Sequence, residues 1–106
     1  MYLPRTLEHH LPRLSREAPV LLVVGARQVG KTTLLRHAAG PERTCVTLDD
    51  PLLLQLARQD PALFLQRFPP PVLIDEFQYA PQLLPHIKMR VDAEQQPGAF
   101  WLSGSQ

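Results

Sequence analysis

One cysteine in 106 residues excludes a disulfide framework and a thiolate metal cluster, because each needs a second sulfur. Cys45 lies in a Thr-Cys-Val-Thr-Leu stretch and reads as a buried strand residue. Long apolar runs are missing as well. The longest, Val20 to Val24, falls far short of the roughly 20 residues that a membrane-crossing helix requires. The N-terminal residues MYLPRTLEHHLPR mix Arg5, Glu8 and two histidines among their leucines, so they carry no apolar signal segment, and the expected compartment is the cytoplasm. Neither sign of charge dominates. Eleven Lys and Arg against ten Asp and Glu give +1, which creates no field to draw nucleic acid or an anionic membrane surface. A stripe of basic and aromatic residues, the mark of a nucleic-acid groove, is also lacking, and there are no internal repeats.

What the chain has in quantity is proline, 12 residues, placed as punctuation between periodic segments rather than in a low-complexity tract. The length predicts one domain, with enough core for one sheet and a few helices. Leu3, Leu7, Leu11 and Leu14 recur at helical spacing, predicting an amphipathic helix over about 4–16, kinked or broken near Pro12. Val20 to Val24 reads as a parallel strand buried on both faces, and KTTLLRHAA from Lys31 reads as a helix capped by Gly40. Thr44 to Leu48 is a second strand. Asp50-Pro51 and Asp60-Pro61 each supply an N-cap followed by proline at the first helical position. Val72 to Ile74 forms a third strand. Pro81 opens a helix whose Leu84, Ile87 and Val91 share one face, and Ala99 to Leu102 is a fourth strand. Strands alternating with helices predict an α/β fold, a parallel sheet with helices on both faces.

Gly25-Ala26-Arg27-Gln28-Val29-Gly30-Lys31-Thr32 matches the P-loop pattern G-x-x-x-x-G-K-S/T, between a predicted strand and a predicted helix as that motif requires. Its glycines let successive N–H groups turn inward around phosphate oxygens, and the helix N-terminus adds the positive end of its dipole. Lys31 is expected to reach the β- and γ-phosphates and Thr32 to offer a hydroxyl to Mg²⁺. The candidate nucleotide-binding set is Gly25, Ala26, Arg27, Gln28, Val29, Gly30, Lys31, Thr32 and Thr33. Val72-Leu73-Ile74-Asp75-Glu76 delivers an acidic pair at a strand's carboxyl end, where open α/β sheets bind ligands. Asp75 is the second candidate metal residue. Glu76 is the candidate that orients and deprotonates an attacking water. Ser103, Ser105 and Gln106 are expected just beyond the fourth strand, at the same sheet edge. They and Gln78 read equally well as polar turn residues or as contacts to phosphate or water.

With GARQVGKTTLL, VTLDDPLLLQLARQDPALFL, VLIDEFQYAPQLLPHIK and FWLSGSQ in register, essentially the whole chain resembles a family of prokaryotic AAA-type P-loop ATPases that carry a C-terminal domain of uncharacterised function. The departure is Ala26, where the family commonly has proline. The resemblance implies that residues 25–32 are Walker A, Asp75 and Glu76 Walker B, and the Ser-Gly-Ser-Gln end the sensor-1 region, with Ser105 as the sensor residue. Lys31, Glu76 and Ser105 are then the catalytic set, and ATP and Mg²⁺ the ligands. It also implies a strand order 5-1-4-3-2, so that 1–106 reads as the N-terminal part of an ATPase core. On that reading the fifth strand, an arginine and the partner domain lie outside the chain, and the open edge of the first strand invites association with further copies. The implied activity is Mg-dependent ATP hydrolysis driving a conformational switch in a larger protein. The competing classes are a non-hydrolysing nucleotide-binding or interaction module and a P-loop small-molecule kinase. Glu76 argues against the kinase, whose transfer chemistry must exclude a water-activating carboxylate.

Overall fold

Apolar β-branched runs and proline-capped helices fold here into a four-stranded parallel sheet with helices on both faces. The computed structural model describes residues 13–25 and 31–105, with Gly25, Lys31 and Thr32 described by backbone alone. In chain order the elements are α1 over residues 13–17, β1 (Val20–Gly25), α2 (Lys31–Ala39), β2 (Thr44–Thr47), α3 (Pro51–Gln59), α4 (Pro61–Arg67), β3 (Val72–Asp75), a 3-10 turn (Phe77–Tyr79), α5 (Leu83–Glu94) and β4 (Phe100–Ser105). The expected N-terminal helix continues to residue 17, and its portion over 4–12 lies outside the described residues.

The strand order is β1-β4-β3-β2, the expected order for these four. Strand alternation divides the core between the two faces. Val46, Val72, Ile74, Phe100 and Leu102 pack with Ala57 of α3, Phe64 and Leu65 of α4, and Leu83 and Ile87 of α5. Val23, Leu73 and Trp101 pack with Leu35 of α2 on the opposite face. The starts of α3 and α4 are fixed locally: Asp50 accepts from the N–H of Leu52 at 2.9 Å, and Asp60 accepts from the N–H of Leu63 at 3.1 Å. Such caps contribute about 1 kcal/mol each.

Three expectations are corrected. Although β1 is apolar throughout, Leu22 and Val24 are 53% and 41% exposed, because β1 is the edge of the four described strands: Leu21 and Val23 pack on the α2 side, whereas on the other face Val20 alone reaches the core. Leu84 does not join the buried face of α5. The helix begins at Leu83 rather than Pro81, so the inward stripe is Leu83, Ile87 and Val91, and Leu84 lies about 100° round the axis, 42% exposed. Finally, Ser103, Gly104 and Ser105 do not follow the fourth strand but are its last three residues. They take part in the ladder, with Val23 opposite Ser103 and Gly25 opposite Ser105.

The amino edge of the sheet is tied down by Trp101, whose Nε1–H donates to Ser15 Oγ of α1 at 2.8 Å. The Arg43 guanidinium lies over the same indole, 4.2 Å from its centroid. Burial lowers the Arg43 pKa from its ordinary value, while Cys45 acts in the opposite sense. A buried indole N–H that loses its acceptor forfeits its full desolvation cost. Ser15→Ala is therefore expected to destabilise the fold by about 1–3 kcal/mol, read as a lowered urea midpoint at unchanged m-value.

Candidate functional site

Parallel strands in register bring their carboxyl ends to one edge. Gly25 closes β1 opposite Ser105 of β4, and Asp75 closes β3 opposite Ser103 of the same strand. Thr47 of β2 is opposite Asp75 on the other side. The segment with the phosphate-loop pattern leaves from Gly25, and α2 begins at Lys31 and Thr32, so that the helix N-terminus belongs to this edge. Ala26, Arg27, Gln28, Val29, Gly30 and Gln106 lie outside the described residues. Thr33 is exposed on the first turn of α2.

The acidic pair is buried. Asp75 is 6% and Glu76 2% exposed, which for carboxylates is tolerated only where hydrogen bonds compensate desolvation. The compensation comes from β4. Ser103 Oγ donates to Asp75 Oδ1 at 2.6 Å, and Ser105 Oγ donates to Glu76 Oε1 at 2.8 Å. A third donor, Gln78 Nε2, reaches Glu76 Oε2 at 3.3 Å. By strand alternation Asp75 and Ser103 share the face of Leu73 and Trp101, the face covered by α2. Glu76 itself takes a left-handed backbone conformation, φ 58° and ψ 40°, unfavourable by roughly 1–2 kcal/mol for a residue with a Cβ. Backbone strain of this kind gathers at functional sites. Here it swings the chain out of β3 into the Phe77–Tyr79 turn and leaves the Glu76 carboxylate beside the end of β4.

Structure thus brings together Asp75, Glu76 and Ser105 of the expected set, with Lys31 and Thr32 starting the helix at the same edge. It adds Ser103, which the sequence leaves equally open between a polar turn residue and a contact to phosphate or water, as a donor to Asp75. The signal that finds it is parity: once the strand runs through to Ser105, alternate residues from Trp101 fall at 103 and 105, both facing the acidic strand end. Among the described residues there is no group of three His, Cys, Asp or Glu side chains that would hold a metal ion by themselves. Elsewhere a concavity of about 360 Å³ lined by Ala18, Pro19, Val91 and Pro97 lies at the opposite, amino edge, away from this chemistry.

An all-parallel sheet with a glycine-rich strand-to-helix segment and an acidic strand end defines a nucleotide-binding α/β domain of the P-loop class. Residues 17–106 match the family model of an AAA domain, and the chain belongs to that family. It is 38% identical over 96 residues to the uncharacterized proteins Rv2008c of Mycobacterium tuberculosis and Mb2031c of Mycobacterium bovis. The matched region is 90% of this chain but 22% of each relative, so the chain spans about a fifth of their length. No solved structure matches it at a significant level. No helix among the described residues is long and apolar enough to cross a membrane.

Because Ser103 is fully buried and its hydroxyl is a donor to a buried carboxylate, Ser103→Ala is expected to lower stability by about 1.5–3 kcal/mol, the range for a hydrogen bond to a charged group. Thermal unfolding without nucleotide measures it. Ser103→Thr, which keeps the hydroxyl, separates loss of the donor from loss of volume.

Proposed function

We propose that this chain is the ATP-binding and hydrolysing module of a larger AAA-type ATPase, with hydrolysis driving a conformational switch in parts of the protein beyond these residues. The observation that carries the reading is the buried Asp75–Glu76 pair held by two hydroxyls of β4, next to the strand that enters the phosphate-loop pattern. Backbone N–H groups of residues 25–32 and the α2 N-terminus would cradle the phosphates, with Lys31 on the β- and γ-phosphates. Thr32 and Asp75 are the residues that would hold Mg²⁺, which supplies charge neutralisation on the phosphate oxygens. Glu76 orients the attacking water and accepts its proton, and Ser105 holds the Glu76 carboxylate in place. A cytoplasmic location and dependence on a partner domain belong to the same reading.

Two measurements test it. Lys31→Ala is expected to weaken binding of a fluorescent ATP analogue by about ten- to a hundredfold, the equivalent of one lost charge-assisted phosphate contact. Equal affinity would remove the phosphate-loop assignment. In the protein expressed from its whole reading frame, Glu76→Gln is expected to retain ATP binding and lose steady-state phosphate release. Asp75→Asn is expected instead to shift the magnesium concentration needed for binding, because a neutral amide no longer attracts the cation. Hydrolysis by Glu76→Gln at the wild-type rate would show that Glu76 is not the base.

A further inference from the structure

We propose that Gln78 is a positioning residue for Glu76, and that Gly104 is the seat that makes this possible; the inference rests on the hydrolytic reading of Glu76 above. Three features fix the Gln78 side chain. First, the turn that bears it is closed by its own Tyr79 N–H to Glu76 carbonyl bond at 3.2 Å and tied to α3, whose Arg58 Nε–H donates to the Tyr79 carbonyl at 2.8 Å. Secondly, its carboxamide lies on Gly104 of β4. A Cβ built on Gly104 would be 2.6 Å from Gln78 Oε1 and 3.3 Å from Phe77 Cε1, so any other residue there would push the carboxamide off its seat. Thirdly, its Nε2 donates to Glu76 Oε2 while Ser105 Oγ donates to Oε1.

The two carboxylate oxygens therefore receive donors from two different elements, one from the strand and one from the turn. A single donor leaves a carboxylate free to rotate about its own C–C bond; two donors on opposite oxygens set both its direction and its plane. Direction matters to a general base because the proton moves along one lone-pair axis toward an in-line water. The arrangement carries a local penalty. Gln78 Oε1 is buried against β4 without a hydrogen-bond partner among the described residues, which a packing residue of the same size and no polarity would avoid. A glutamine and a glycine facing each other across the site are what remains when the carboxamide must reach Glu76.

The test uses the protein expressed from its whole reading frame. Gln78→Met keeps length and volume over Gly104 and removes both polar atoms. It is expected to lower kcat by about a hundredfold, the scale of a misplaced reacting group, while KM and the affinity for a fluorescent ATP analogue stay within about threefold of wild type. Gln78→Glu keeps the length but replaces the donor by an acceptor facing Glu76, and is expected to lose turnover in the same way. Gly104→Ala, which displaces the carboxamide, is expected to reproduce the kcat loss in the wild-type background and to add little on top of Gln78→Met. Unchanged nucleotide affinity reports that each variant is folded. If Gln78→Met turns over at the wild-type rate, or if the Gly104→Ala and Gln78→Met losses multiply independently, the inference is overturned and the hydrolytic reading stands. Wild-type protein that binds the analogue but releases no phosphate also overturns the inference. Wild-type protein that binds no analogue overturns the ATPase reading, and this one with it.

Discussion

The site depends on the register of three parallel strands. Gly25, Ser105, Ser103 and Asp75 gather at one edge because β1 and β4 end opposite each other and β3 ends two residues earlier, opposite Ser103, and β3 has no freedom to slip. All four of its residues are buried, with Val72 and Ile74 packed among α3, α4 and α5 and Leu73 packed against the α2 side. A slip of one residue would exchange those faces and turn Asp75 away from Ser103. A slip of two would keep the faces but carry Asp75 about 6–7 Å along the strand, beyond reach of the serine. Core packing on both sides of β3 is thus what locates a carboxylate at the edge.

Seen from the stability of the fold alone, that edge is poorly made. Two adjacent carboxylates are withdrawn from water, Glu76 has a left-handed backbone, and one carboxamide oxygen has no hydrogen-bond partner among the described residues. Apolar residues of similar size would avoid the desolvation and cost nothing in pairing. Single departures occur elsewhere, at the left-handed Gln95 and at Arg43, whose buried Nε and Nη1 have no hydrogen-bond partner among the described residues, but at residues 75–78 buried carboxylates, a left-handed backbone and an unsatisfied amide oxygen coincide. Such a concentration is what a chemical role predicts: local choices that disagree with folding are retained where something other than folding needs them.

The fold was largely legible because its signals are local. Proline after aspartate at 50–51 and 60–61 marks two helix starts in the residues themselves, and unbroken apolar runs at 20–24 and 72–74 mark strands. The acidic pair and Ser105 were legible for the same reason, as residues at a strand's end. What escaped was set by neighbours distant in sequence. Exposure of Leu22 and Val24 depends on β1 being an edge, which no property of VLLVV encodes. The extension of β4 through Ser-Gly-Ser runs against the turn propensity of that tripeptide; pairing with Val23 and Gly25 overrides it. Ser103 and Gln78 remained ambiguous until that extension set which side each residue faces. The phosphate loop itself, residues 26–30, rests on its sequence pattern and on the elements at its two ends.

Strand β4 links the two edges of the sheet. At its start Trp101 is held by Ser15 and covered by Arg43, and at its end Ser103 and Ser105 hold Asp75 and Glu76. Five of its six residues are buried, and it is hydrogen-bonded on both sides, to β1 and β3. Hydroxyls carried on such a strand are located by the core rather than by a surface loop, and that is the condition for holding a carboxylate to within a fraction of an ångström. The turn that bears Gln78 lacks this support from a sheet. Its tie to Arg58 of α3 supplies a constraint of a different kind, so Ser105 is fixed by the sheet and Gln78 by a turn hydrogen-bonded to a helix, whereas the acceptor between them sits at the one strained residue of the site.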